Sequence, residues 1–207
     1  MASIALKNPS IFFDQIRPVL FSKGMAQSQV NGINAILSEN DKAPLDPRWL
    51  AYILATAYWE TAQTMQPVRE TKASTDDEAI RILDRAYANR ELPWVKAPYW
   101  RKDADGKSWL GRGFPQLTHK ANYQKLSKAT GVDLVADPDR AMDLPVAIDI
   151  MFLGMIQGLF TGAKLGDFFN GTKNDWVNGR RIINGVESAE KVAGIAKTFY
   201  AALKNAA

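Results

Sequence analysis

Apolar residues recur at three- and four-residue spacing along most of this chain while strand-like alternation is scarce, a pattern that restricts it to a mainly α fold. The periodicity predicts helices over residues 10–22, 26–38, 48–66, 76–89, 118–130, 145–160 and 188–204. Lys23-Gly24 separates the first two, and Pro44 and Pro47 mark a polar loop after the second. Asp46 is a candidate N-cap for the third, with Pro47 at its first position and Pro67 as its stop. Asp76, Asp77 and Glu78 stand in the first turn of the fourth, where the helix dipole favours negative charge. Residues 146–160 are the most apolar stretch, but they are too short for a membrane span and include Asp149 and Gln157. They read as a central core helix, with Pro145 in the first turn and Asp143 as a nearby cap.

One segment departs from the helical period. Trp94, Tyr99, Trp100 and Trp109 flank Asp103-Ala104-Asp105-Gly106, which predicts a small β-hairpin near residues 97–112. The same four residues could open a calcium loop, but the remaining ligands and the distal Glu are missing, so a turn is expected. No repeat, low-complexity linker or charge block divides the 207 residues, and a single domain over 1–207 is expected.

Composition narrows the chemistry. With no cysteine there is no disulfide, thiol nucleophile or Cys-based metal site, so the core alone must stabilise the fold. His119 is the sole histidine, which excludes a two-histidine zinc site and leaves carboxylates as the default catalytic groups. No cofactor and no metal are expected. The 26 basic residues against 22 acidic ones give a net charge of +4, a weak preference for an anionic partner. Nucleic acid is a poor candidate, because no basic stripe interleaved with aromatics and no reader motif is present. The opening 21 residues lack a basic start, a long apolar run and a cleavage site, so no signal peptide is expected.

Among the carboxylates, Glu60 follows Ile53 by seven residues and Ala57 by three, placing it on the apolar stripe of the third helix. A carboxylate among apolar neighbours loses solvation of its charged form and becomes a proton donor nearer neutrality. The plainer alternative is a helix-edge Glu that snorkels to water or pairs with Arg69. Pro67 should turn the chain and bring Glu70 back across from Glu60, giving one buried and one open carboxylate, the pairing used to cleave glycosidic bonds. The plainer alternative for Glu70 is a solvated loop charge.

Residues 111–123, GRGFPQLTHKANY, supply a second group of candidates. Gly111 and Gly113 let the backbone turn and approach a ligand, and Pro115 restricts the helix that follows. Gln116, Thr118 and Asn122 are uncharged hydrogen-bonding groups suited to sugar hydroxyls or to a held water.

Taken together, Glu60-Thr61, the acidic residue shortly after it, the 111–123 block and the late Arg181-Ile182-Ile183-Asn184-Gly185 resemble glycoside hydrolase family 19, the chitinase-like branch of the lysozyme superfamily, and especially its phage endolysins. The resemblance spans roughly residues 46 to 200. It implies a lysozyme-like domain and an inverting mechanism, with Glu60 as general acid, Glu70 as general base and Thr118 helping to hold the attacking water. Gln116, Asn122, Tyr123, Asn184 and Arg112 would bind substrate, and His119 would be a structural hydrogen bonder. Trp59 stands where the family usually has His, and Ala62-Gln63 replace the usual glycines. Asp76, Asp77 and Glu78 are fallback bases. The expected partner is the glycan strand of peptidoglycan, cut by a monomer without stable membrane insertion. It would be made in the host cytoplasm and reach the periplasmic wall after holin-type release. A chitinase acting on GlcNAc polymers and a non-catalytic wall-binding protein are the alternatives. In the last helix, Val192, Ile195, Ala196, Phe199 and Leu203 share a stripe with Lys191, Lys197 and Lys204 off it, which suits either core packing or an amphipathic segment at a membrane.

Overall fold

The computed structural model of the chain describes residues 6–207; the first five, part of the opening stretch read above for a signal peptide, lie outside the described residues. The fold is mainly α, as the period predicted. The chain forms two compact units, one built from residues up to Gln66 together with Met151–Ala207, the other from Pro67–Ile150.

In the first unit, α1 (Pro9–Leu20), α2 (Gln27–Lys42) and α3 (Pro47–Glu60) precede the short α7 (Leu165–Phe168) and the late helix α8 (Ala189–Ala206). The Asp46 carboxylate caps α3 by accepting from the Arg48 N–H at 2.8 Å, and Pro47 occupies the first turn, as expected. Every residue from Leu50 to Tyr58 is buried, so α3 is enclosed on all sides rather than along one stripe. Helix α8 packs on α3 and α1. Phe199 lies 6.2 Å from the Phe12 ring and 6.3 Å from that of Tyr58. The Val192, Ala196, Phe199 and Leu203 stripe is buried and the three lysines point outward, which decides for core packing.

Two further expectations fail within this unit. The third helix stops at Glu60 instead of Gln66. Thr61 ends it: its Oγ1 donates to the Ala57 carbonyl at 2.7 Å and accepts from the Met65 N–H at 3.1 Å. Ala62, Gln63 and Met65 then adopt left-handed φ values of 47°, 73° and 53°. The turn therefore precedes Pro67. The small sheet also lies elsewhere, between β1 (Phe169–Asn170) and β2 (Lys173–Asn174), antiparallel and tied to α3 because Arg48 donates to the Gly171 and Lys173 carbonyls.

The second unit holds the 3-10 turn Glu70–Lys72, α4 (Asp76–Ala88), α5 (Lys120–Thr130) and the 3-10 turn Pro138–Met142. The boundary between units falls within α6 (Leu144–Gln157), the apolar core helix, where Val146, Ala147, Ile148, Ile150 and Met151 are buried. Asp143 receives Arg140 on its carboxylate at 2.7 Å, while its carbonyl accepts from the Ala147 N–H. Ala79 and Leu83 of α4 form a core with Trp100 and Leu110, covered by Tyr87, Leu92, Val95 and Tyr99.

Residues 97–112 form no strand hairpin. Their chain reversal is organised by Asp103, whose carboxylate accepts from the Asp105 and Lys107 N–H groups, the Trp109 indole and the Lys120 ammonium. Trp100 is fully buried and donates to Asp84 at 2.9 Å, so the aromatic residues serve loop packing instead of a sheet face. Among the described residues, no helix is long and apolar enough to cross a membrane.

Candidate functional site

Glu60 is the last residue of α3, and its side chain is 15 % exposed. Burial pushes its carboxyl above the ordinary 4.5, against the opposing pull of the Arg180 guanidinium that donates to Oε1. Glu187 adds a further push upward. Arg180, rather than Arg69, is thus the partner of Glu60, and nothing in the spacing of the sequence pointed to it; its one signal was adjacency to the 181–185 segment. Arg180 sits in the 3-10 turn Asn178–Ile182, which packs against α8 and meets α3 where Gly179 approaches Tyr52. A Cβ on Gly179 would come within 2.8 Å of the Tyr52 ring, so only glycine allows this approach. The Tyr52 hydroxyl is buried there with no hydrogen-bond partner among the described residues. Asn184 is exposed; its N–H donates to the Arg180 carbonyl at 3.1 Å and its Oδ1 accepts from the Gly185 N–H at 2.8 Å.

In the second unit, Glu70 is half-buried and held at both carboxylate oxygens. Oε1 accepts from the Tyr99 hydroxyl at 2.6 Å and Oε2 from the Gly111 N–H at 2.7 Å. The Glu70 N–H returns a bond to the Gly111 carbonyl at 2.7 Å, and Val68 pairs similarly with Gly113. Burial, then the Glu70 contact, raises the Tyr99 phenol, which keeps it a donor. Tyr99 also packs on the exposed His119 ring, 4.6 Å between centroids. A hairpin over 97–112 would direct Tyr99 to a sheet face, and nothing in the aromatic run signals its contact with Glu70.

The 111–123 block folds around that carboxylate. Gln116, at φ 54°, donates from Nε2 to the Val68 carbonyl at 2.8 Å and the Gly113 carbonyl at 3.2 Å. Its amide therefore braces the backbone beside Glu70. Arg112 is 1 % exposed and donates to Asp139, Asp76, the Ser108 and Leu110 carbonyls and the Tyr123 hydroxyl. Tyr123 is fully buried and donates to the Leu110 carbonyl at 2.8 Å. These two side chains have no surface left for a sugar and work as the pillar under the loop. Thr118 is half-buried, and its hydroxyl has no hydrogen-bond partner among the described residues. Asn122 donates to the Thr118 carbonyl at 2.9 Å.

Arg69 does not pair with either glutamate but donates to Asp76 at 2.7 Å and Asp139 at 3.0 Å. The fallback acids are likewise engaged: Asp76 by Arg69 and Arg112, Asp77 by Lys102 at 2.6 Å, and Glu78 by the Ser74 N–H and hydroxyl. Their hydrogen-bonded partners hold the Asp77 and Glu78 carboxyls below the ordinary carboxylate range. No group of carboxylate and imidazole side chains suited to a metal ion occurs among the described residues. No protein-family model matches the chain, and no solved structure matches it.

Proposed function

We propose that this chain is an endolysin-like glycoside hydrolase that cleaves β-1,4 bonds in the glycan strands of peptidoglycan by an inverting mechanism. The observation that carries the reading is Glu60. It is a carboxyl whose proton affinity burial raises even with an arginine bonded to it, the property a general acid needs to stay protonated until it gives its proton to the leaving sugar oxygen.

Glu70 takes the role of base, accepting the proton of the attacking water, and its two fixed hydrogen bonds hold the carboxylate in one orientation. The Thr118 hydroxyl, without an internal partner, is suited to orient that water. Gln116, Arg112, Tyr123 and Tyr99 act as positioning residues, while Asn122 and Asn184 remain the candidates to meet sugar hydroxyls.

The test is turnover of purified sacculi with mass spectrometry of the products. Glu60→Gln and Glu70→Gln should each lower turnover by about 100-fold or more, the usual scale of a general acid or base. Product first released as the α anomer supports inversion. An anhydro-MurNAc end would reassign the reaction to a lytic transglycosylase with one Glu. Faster cutting of chitin oligomers than of sacculi would favour a chitinase, and full activity of both variants would overturn the reading.

A further inference from the structure

Of the six tryptophans, Trp94 alone is exposed, at 72 %. It stands in the loop after α4. The neighbouring apolar residues of that loop are committed elsewhere: Leu92 and Val95 pack with Tyr87 against the Trp100 core. Beside them opens a shallow groove of about 490 Å³, lined by Tyr87, Leu92, Pro93, Val95 and the side of Arg90. Arg90 lines it, and the exposed charges of residues 85–96 are Arg85, Arg90 and Lys96 against the single carboxylate of Glu91. This stretch thus presents one exposed aromatic plate, a groove and a net positive charge.

A large exposed indole is unfavourable in water, and it gains most from a partner with a flat apolar face and polar edges. A pyranose ring has both. A bilayer fits less well, because interfacial anchoring needs a continuous apolar face, and here only one ring is left to insert. We propose that the Trp94 loop is a second glycan contact, where a pyranose stacks on the indole and the carboxylates of an acidic wall glycan face Arg90 and Lys96. The choice of polymer rests on the hydrolase reading. The contact itself is independent of Glu60 and Glu70, and it would keep the chain on an insoluble strand between cuts.

The test uses the full chain carrying Glu60→Gln to prevent digestion, sedimented with purified sacculi, with and without Trp94→Ala. Because Trp94 is exposed, its replacement should leave the fold intact. Retention on sacculi should fall about tenfold, the scale of losing one stacked aromatic platform. Arg90→Gln with Lys96→Gln should weaken retention and flatten its salt dependence. In the active chain, Trp94→Ala should leave turnover of short soluble oligosaccharides unchanged. Undiminished retention of Trp94→Ala would overturn the inference. So would Trp94-dependent binding to phosphatidylglycerol vesicles without binding to sacculi, which would make the loop a lipid contact. Trp94-dependent retention by a chain that cuts no glycan would sustain this inference while overturning the hydrolase reading.

Discussion

Glu70 and Gly111 are joined twice, by the Glu70 N–H on the Gly111 carbonyl and by the Gly111 N–H on the Glu70 carboxylate, each at 2.7 Å. The second bond makes the backbone of the 111–123 block part of the carboxylate's environment. An amide donor to a carboxylate is a charge-assisted bond, among the stronger kinds, and it fixes the direction of the remaining lone pairs.

Gly111→Ala tests that coupling. The new Cβ would lie 2.8 Å from Gln116 Oε1, so the Gln116 brace beside Glu70 must shift, and it would stand in contact with Glu70 Oε2 at 3.4 Å. Turnover of sacculi should drop at least about tenfold, as expected for a misplacement near 1 Å, while overpacking lowers stability by about 1–3 kcal/mol. Thermal unfolding beside kinetics separates the two. Unaltered turnover would show that the double bond does not position Glu70 for catalysis.

Tyr99→Phe removes one donor from Glu70 and leaves the ring against Trp100 and His119. Loss of a hydrogen bond to a charged group should lower stability by about 1.5–3 kcal/mol. If Tyr99 orients the base, kcat should fall with little change in KM.

Phe199→Ala addresses the last helix. Phe199 is fully buried between Phe12 and Tyr58, so its truncation should destabilise the chain by about 3–5 kcal/mol in denaturant unfolding. A change below 1 kcal/mol would reopen the membrane reading of α8.

Helices α4 and α8 were legible because each has one buried face, and the period shows that face directly. The end of α3 was not, since a helix enclosed on all sides has no stripe to lose, and Ala62, Gln63 and Met65 turn left-handed without the glycine that announces such a turn. The aromatic run at 94–109 suggested strands because Trp and Tyr favour pleated surfaces, yet that preference reflects burial, which the loop around Trp100 supplies as well. Glu60 and Glu70 were singled out from spacing and chemistry. Their partners were not: Arg180 is 120 residues from Glu60 and Tyr99 is 29 from Glu70, distances at which no local period operates.

The raised proton affinity of Glu60 carries a pH signature in stability as well as in rate. Burial lifts its folded-state value above the unfolded 4.5, so the folded chain binds this proton more tightly. Its contribution to stability is complete below pH 4.5 and is lost as pH rises through the folded value. Against Glu60→Gln, which cannot ionise, the native chain should therefore lose stability progressively above pH 4.5, whatever constant offset follows from the altered Arg180 contact. Arg180→Met should steepen this loss and carry it to higher pH, because Arg180 pulls the Glu60 value down. The basic limb of the activity profile should move upward in the same variant if Glu60 gives its proton to the leaving group. Unfolding midpoints measured from pH 4 to 8 for the three proteins check the first two expectations. Parallel curves would mean that Glu60 ionises in the fold as it does in the unfolded chain.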